Sequence, residues 1–412
     1  MHDVIVVGAG AAGLLAACRA AEQGRKTLLL EKNRKPAVKI LMSGGTRCNI
    51  THNTDLRGIV AAYGTSGKFL HSALASLDPQ AVIELFHAEG VLTKVESTGK
   101  IFPVSDKALD VQQALLDRLA RSSALMNTET PVVSIRRSEA AFEVVGQQQT
   151  WLGRKLVLTT GGLSYPGCGT TGDGYAWAAA FGHSIIPPRP ALVPITSAAE
   201  WVRGLSGVTL SDVSVRVVEP GQRKPLAQQQ GSLLFTHFGF SGPAILNLSR
   251  VVSGHSQPTN LALECDFLPG HSVDQLLADL QHAAQAMGNQ LVLTRWMEYL
   301  PRRVVEALLG VAQIEPTRKC AELSKLERGR LLNATKCVPI PITGTLGFEK
   351  AEVTAGGVAL SEVDSRTMQS KLVPGLYFAG EILDLDGPIG GYNFQAAFST
   401  GWLAGSSAAT SC

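Results

Sequence analysis

The sequence predicts an α/β fold in which a Rossmann-like domain is interrupted by a β-rich insert and a small helical insert. Three observations carry this. A continuous apolar strand, a Gly-rich turn and an Ala/Leu-rich helix open the chain. Short β-like runs separated by Gly and Pro fill the middle, and helical spacing follows them. Strand-like and Gly-rich patterns then return and run to the end.

The opening strand is Asp3–Gly8, a β-branched run suited to burial on both faces. The helix runs from Ala11 to Gln23 and stops at Gly24, a usual C-cap residue. Lys26–Glu31 is the second strand, and Asn33–Thr54 is too polar and Gly-rich for a regular element. Helical spacing covers Gly67–His87 and Asp106–Ser122, with a hairpin-like Val91–Pro103 between them. Pro131–Ser138, Ala141–Val145 and Lys155–Thr160 read as strands. A long loop, Gly161–Gly174, leads to a short Ala-rich helix ending near Phe181.

Residues 189–271 form the β-rich insert, with Val213–Glu219 and Ser232–Gly239 its clearest strands. Residues 272–335 form the helical insert, which includes Ser272–Glu315 and Cys320–Leu332. Residues 1–188 and 336–412 belong to the Rossmann-like domain. No internal repeat or low-complexity linker stands out.

Composition sets the outer limits. A chain of 412 residues, 45% hydrophobic and 17% charged, is globular and long enough for two or three domains. Its 42 glycines, about 10% against a usual ~7%, favour tight backbone turns around a ligand. A net charge of +3 demands no basic face for nucleic acid. The seven cysteines are Cys18, Cys48, Cys168, Cys265, Cys320, Cys337 and Cys412, scattered and without a C-x-x-C. That spacing argues against a disulfide framework or zinc site and fits a reducing compartment. The apolar start lacks a positive n-region, and no apolar stretch reaches membrane-spanning length. A cytoplasmic protein is expected.

The chemistry lies in four segments. Gly8-Ala9-Gly10-Ala11-Ala12-Gly13 is a G-x-G-x-x-G between a buried strand and a helix. Gly8 permits the turn, Gly10 lets backbone approach a pyrophosphate, and Gly13 allows close helix–strand packing. The helix N-terminus offers N–H groups and a partial positive charge. Glu31 follows Gly13 by 18 residues, where a carboxylate can accept both hydroxyls of an adenosine ribose. The basic run Lys32, Arg34, Lys35 reads as a solvated face or as a 2′-phosphate site, which Glu31 disfavours.

In Lys39–Asn49, Ser43, Gly45, Thr46 and Asn49 offer donors, and Lys39 and Arg47 offer charge. Gly167–Gly172 repeats the glycine pattern without a preceding strand. It reads as a decoy: a flexible loop, or one folded over a cofactor. Val373–Glu381 reads as strand into turn, leading through Asp384 and Gly387–Asn393 into an Ala-rich helix. A Gly-rich strand–turn–helix at each end of the chain suggests one extended ligand touched twice. No nucleophile elbow or metal spacing appears among the nine histidines. His237 reads as a packed histidine or a proton donor, and Cys48 as a buried thiol or a group facing a redox centre.

The sequence resembles the YhiN/BaiN-like bacterial FAD flavoproteins. DVIVVGAGAAGLLAA at the start, KILMSGGTRCNITH at 39–52, TGGLSYPGCGTTGDGYAWA at 160–178 and VTAGGVAL at 353–360 carry the resemblance. So do LFTHFGFSGPAIL at 234–246, LPRRVVEALL at 300–309 and GLYFAGEILDLDGPIGGYNFQAAFSTG at 375–401. The loop Pro166–Gly172 departs from the shorter Ser/Thr pattern of that family.

The resemblance implies a discontinuous, glutathione-reductase-like FAD domain with a β-barrel-like insert and a small helical insert. It implies Gly8, Gly10 and Gly13 at the pyrophosphate and Glu31 at the adenosine ribose, with Ala12 and Lys32 also among the cofactor-binding residues. Val133 would meet the adenine by backbone. Thr160, Gly161, Gly162 and Asp173 would cover the adenosine half. Lys39, Ser43, Gly44, Gly45, Arg47, Cys48 and Asn49 would lie along the flavin. Gly357, Gly380, Glu381, Asp384, Gly390, Gly391, Tyr392 and Asn393 would hold the ribityl and flavin half.

The implied activity is an FAD-dependent oxidoreductase, an NAD(P)H-dependent reductase of a small enone or steroid-like substrate. FAD would be non-covalent and NADH or NADPH a transient donor, with no metal, nucleic acid or membrane partner. The alternatives are an FAD oxidase of a small amine and a non-enzymatic flavin-bearing interaction module.

Overall fold

The computed structural model describes residues 1–138 and 141–410; Cys412 lies outside them. The chain forms two compact units, Met1–Pro190 with Phe348–Cys412, and Ala191–Gly347.

The first unit opens with β1 (His2–Val7), α1 (Ala11–Glu22) and β2 (Thr27–Leu30). Val4, Ile5 and Val6 of β1 are fully buried, as a central strand requires. Next come α2 (Val38–Met42), β3 (Thr51–His52), α3 (Leu56–Ala62), α4 (His71–Ser76) and α5 (Pro79–Ala88). The helix expected over Gly67–His87 is therefore broken. Pro79 has no N–H and its ring disfavours a helical Asp78, so Asp78 instead caps α5, accepting from Ala81 N at 2.8 Å. β4 (Thr93–Val95) and β5 (Lys100–Pro103) form the expected hairpin, with β3 on its edge.

After α6 (Ala108–Arg121) come β6 (Leu125–Asn127), β7 (Val132–Arg137), β8 (Phe142–Gly146) and β9 (Thr150–Leu158). α7 (Asp173–Ala180) and β10 (Ile185–Ala191) complete this half.

The second unit holds β11 (Ile195–Thr196), α8 (Glu200–Gly204), β12 (Thr209–Val218), β13 (Ala227–Thr236), β14 (Gly239–Ser241) and α9 (Pro243–Gly254). It continues with β15 (Ala262–Asp266), α10 (Val273–Ala286), α11 (Val292–Trp296), α12 (Arg302–Val311) and α13 (Lys325–Lys336). β16 (Val338–Pro341) and β17 (Gly344–Thr345) close it. The seven strands pair antiparallel in the order β16-β15-β12-β13-β14-β11-β17.

Val215, Phe235 and Leu263 of this sheet share one core with Leu276, Trp296, Leu308 and Leu331 of the helices. The β-rich and helical stretches are thus one unit, not two inserts. The chain leaves it at Gly347, because β16 and β17 extend its sheet.

The first unit then resumes with β18 (Val353–Val358), β19 (Val363–Asp364), β20 (Gln369–Ser370), β21 (Leu376–Phe378) and α14 (Tyr392–Thr410). Its main sheet runs β19-β20-β21-β9-β1-β2-β6, and the run from β21 to β6 is parallel. α14 lies directly on α1: a Cβ added at Gly401 or Gly405 would strike the backbone of Ala12 or Ala16. No helix among the described residues is long and apolar enough to cross a membrane.

Burial at the end of α7 gives the fold an acid sensitivity. His183 is buried, with Ser370 Oγ 2.8 Å from Nε2 and Glu362 Oε2 3.3 Å from Nδ1. Desolvation holds its pKa below 6.5 despite Glu362. The unfolded chain therefore binds the proton more readily, and stability falls as pH drops through about 6.5. Glu362 is held below its ordinary value by Ser184, so it adds a second loss at lower pH. His183→Gln should flatten the upper part of this decline. Urea midpoints at pH 7.5 and pH 5.5 measure it; equal losses in variant and parent would exclude His183 as the source.

Candidate functional site

Parallel strands all end on one side of a sheet, and ligands of open α/β sheets bind outside those carboxyl ends. Here four loops leave that edge in spatial order. They are Glu31–Asn33 after β2, Gly8–Gly10 after β1, Thr159–Gly172 after β9, and Ala379–Leu383 after β21. Adjacent strands are about 4.8 Å apart, so the row is roughly 15 Å long.

At the β1 turn the three motif glycines differ. Gly8 has φ +101, and an added Cβ would lie 2.6 Å from the Thr159 carbonyl oxygen. A Cβ at Gly13 would strike the Gly8 oxygen and lie 2.5 Å from Thr159 Oγ1. The Thr159 hydroxyl itself donates to the Val7 and Gly8 carbonyl oxygens, at 2.9 and 2.8 Å. Protein packing thus demands both glycines. A Cβ at Gly10 would meet no protein atom within 4 Å, and no side chain caps α1 there. Open space before a helix N-terminus suits a phosphate.

Glu31 is buried, its Oε2 accepting from Ala9 N at 2.7 Å and its Oε1 from Asn33 N at 2.8 Å. An ionised carboxylate has about four lone-pair sites, so two acceptor positions remain. Val133, on β7, is the extra residue of a β-bulge and has no partner in the β7–β8 ladder, which joins the sheet through β9.

The loop after β9 is fastened over this end. Lys32 Nζ donates to Thr171 Oγ1 at 2.5 Å and Asp173 Oδ2 at 2.6 Å, and Asn33 Nδ2 donates to the Cys168 carbonyl at 2.9 Å. The Lys32 charge is thereby neutralised by Asp173, which weakens any 2′-phosphate reading. The second glycine repeat makes a short turn at Pro166–Cys168, then Gly172 precedes α7 with φ +78. It is no second strand-to-helix turn. The Thr160 hydroxyl next to Gly161 is buried with no partner.

The loop after α2 is locally strained, with Gly44, Gly45, Thr46 and Cys48 at positive φ. Ser43 Oγ donates to the Ile40 carbonyl at 2.8 Å. The Arg47 guanidinium stacks 4.0 Å over the Phe102 ring and pairs with Glu96 at 2.6 Å. Its charge is committed to the β4–β5 hairpin. Cys48 is fully buried, and burial pushes its thiol up to about 12. It stays protonated and supplies no thiolate.

Both ends of the chain meet here. Asn49 is placed to donate to the Thr51 carbonyl and to accept from Gly391 N, each at 2.9 Å. His52 lies with Nδ1 3.0 Å from the Gly390 oxygen and stacks on Tyr392 at 4.7 Å. Gly380 N donates to Thr400 Oγ1 at 3.0 Å, and a Cβ there would lie 2.9 Å from Ala12 Cβ. Asp384 N donates to the Val358 carbonyl at 3.1 Å, and a Cβ at Gly357 would lie 2.5 Å from the Ile382 oxygen. The Asn393 side chain both accepts from and donates to Gly387, at 2.9 and 3.0 Å, so it shapes the turn.

Glu381 is the hub. It pairs with Lys39 Nζ and accepts from Ser164 Oγ at 2.5 Å and Thr354 N at 2.8 Å. His52, Ser164 and Thr354 lie within segments that carry the family resemblance and Thr159 just outside one, yet the sequence assigns none of them a role, because their partners are distant in sequence. His237, by contrast, is exposed on the β13–β14 turn of the second unit, its ring edge-on to Phe238 at 4.9 Å.

The family model described as the HI0933-like protein Rossmann domain matches residues 2–407. The chain is 35% identical to the ribosomal RNA dihydrouridine synthase of Escherichia coli over 97% of this chain and 96% of that protein. It is 30% identical to the 3-dehydro-bile acid delta(4,6)-reductase of Clostridium scindens over 99% of each. In structure it resembles 3-ketosteroid delta1-dehydrogenase from Sterolibacterium denitrificans, with a TM-score of 0.52 at 16% identity over the whole of both chains. It also resembles a flavocytochrome c3 fumarate reductase, with a TM-score of 0.50 at 16% identity, covering 99% of this chain and 78% of that one. The chain belongs to the HI0933-like family.

Proposed function

We propose that this member of the HI0933-like family is an FAD-dependent reductase of a carbon–carbon double bond conjugated to a carbonyl, with NAD(P)H as a transient donor. One observation carries the reaction type. The two activities named for its relatives are the same operation. Dihydrouridine is uridine saturated at the double bond beside its C4 carbonyl, and a 3-dehydro delta(4,6) compound is a dienone. Two relatives named as ribosomal RNA dihydrouridine synthases, at 35% and 34% identity, favour a uracil ring in ribosomal RNA as the substrate. The 30% relative supports a steroid-like enone as the second reading. The uracil reading runs against the expectation of no nucleic-acid partner, but a net charge of +3 is a sum and excludes no local patch. An amine oxidase has no such support.

FAD, when bound, supplies the hydride chemistry. The protein's part is binding and electrostatics. Gly10 and the α1 N-terminus take the pyrophosphate, and Glu31 takes the adenosine ribose. Lys32 with Asp173 fastens the covering loop, which excludes water. Asn49, Gly390 and Gly391 shape the far end, beside the Lys39–Glu381 pair. With no second Rossmann strand–turn–helix unit for a nicotinamide cofactor among the described residues, NAD(P)H binds and leaves at the flavin face.

The purified protein should be yellow and release FAD on heating, identified by mass. NADPH or NADH should bleach it in a stopped-flow mixer, and a ribosomal RNA fragment or a 3-oxo-4-ene steroid should restore the colour anaerobically. Release of FMN alone would refute the cofactor. Reoxidation by oxygen but by neither acceptor would refute the reductase.

A further inference from the structure

We infer that Lys39 and Glu381 are a charge-compensating pair beside the flavin, each of which alone would move its reduction potential and which together leave it nearly unshifted, an inference that rests on the FAD reading above.

Four segments distant in sequence converge on the pair. Lys39 stands on α2, Ser164 in the loop after β9, Thr354 on β18, and Glu381 in the turn after β21. Lys39 Nζ contacts Glu381 Oε2 and also donates to Ser164 Oγ at 2.6 Å. Ser164 Oγ in turn donates to Glu381 Oε1, closing a triangle. The Thr354 hydroxyl accepts from Leu163 N at 2.8 Å and Ser164 N at 3.1 Å, while its own N–H meets Glu381. Ser164 and Thr354 are fully buried, and the Lys39 and Glu381 side chains are only 24% and 18% exposed. Gly162 must lack a side chain because Thr354 occupies that place.

Bracing alone does not account for this. A partly buried ion pair bears a desolvation cost that apolar packing would avoid. Its place in the sheet supplies a reason. β21 is two strands from β1, about 10 Å from the phosphate turn, on the side opposite Glu31. An extended dinucleotide with its adenosine at Glu31 and its pyrophosphate at Gly10 brings its other half there.

Reduction adds negative charge to that half. Lys39 favours the reduced form and Glu381 opposes it. Because little water screens them, each effect is large alone and they nearly cancel together. Other charged groups act here: Glu352, whose carboxyl burial pushes up and which also feels Lys100 and Lys39, and Asp384 and Asp386, which act with Glu381 on Tyr175 and Tyr63.

The test is dye-equilibrated chemical reduction of the holoprotein, which needs neither NAD(P)H nor substrate. Glu381→Gln should raise the potential and Lys39→Gln should lower it. Each should change the oxidised-to-reduced ratio at least tenfold, about 30 mV for a two-electron couple. The double variant should return close to the parent. Shifts of one sign, or none, in flavin-loaded single variants would overturn the inference. If neither single variant holds flavin, a double variant that does still supports compensation. A folded double variant without flavin overturns it, since the pair would then be a binding brace. A colourless parent would refute the FAD reading instead, and a coloured parent inert toward both acceptors would refute only the activity.

Discussion

A chain ended at Lys371 is expected to lose its FAD and the fold of its first unit together. The cut removes β21, which lies between β20 and β9 in the sheet, and α14, which covers α1. Phe378, Ile382, Leu383 and Phe398 are all fully buried in the lost segment. At about 1.5–3 kcal/mol each, these four alone rival a typical stability of about 5–15 kcal/mol. Cofactor loss in this truncation is therefore not separable from unfolding. Gly391→Val separates them better. Gly391 has φ +95, and a Cβ there would strike the Thr51 carbonyl and lie 2.8 Å from the Asn49 side-chain amide. Backbone strain alone costs about 1–3 kcal/mol, which one turn can lose without global unfolding. The variant should keep most of its circular dichroism and lose its flavin absorbance, because the Asn49 link between the two ends opens. A folded Gly391→Val protein with full FAD occupancy would refute the two-ended site.

The local parts of this site are legible in the sequence. Strand, glycine turn, helix and Glu31 follow each other within 31 residues, and each obeys a rule that needs no distant partner. The return of the chain at Gly375–Ala379 is legible as a strand. Its place beside β9, with Tyr377 opposite Val157, is not, since that pairing joins residues far apart in sequence. The same reason hides the roles of Ser164 and Thr354, which exist only once four segments distant in sequence meet. Arg47 shows the limit of sequence neighbourhood: it sits among residues expected to face a cofactor, yet its side chain turns to Glu96 and Phe102. α9 was legible and is absent from the β-rich reading. Pro243 at its first position and Ile245, Leu248, Ser249 and Val252 on one buried face give helical spacing.

Gly10→Val and Gly13→Val should fail in different ways, although the motif treats the two glycines alike. Gly13 is enclosed by the Gly8 carbonyl and Thr159 Oγ1, so any side chain forces α1 away from the β1 and β9 ends. Overpacking of this kind costs about 1–3 kcal/mol, and here it strikes backbone that cannot rotate aside. Gly13→Val should lower the urea midpoint of the apoprotein as well as its flavin content. Gly10 has φ −81 and ψ −172, which valine adopts readily, and its Cβ would point into space no protein atom occupies. Apoprotein stability should therefore change by less than about 0.5 kcal/mol, the usual range for such sites. FAD affinity should still fall at least about 100-fold, roughly 2.8 kcal/mol, because valine occupies the room left for the pyrophosphate. Titration of apoprotein with FAD, beside urea unfolding of the same samples, reads both quantities. Unchanged affinity in Gly10→Val would mean that the open space before α1 is not where the dinucleotide binds, whatever the glycine pattern suggests.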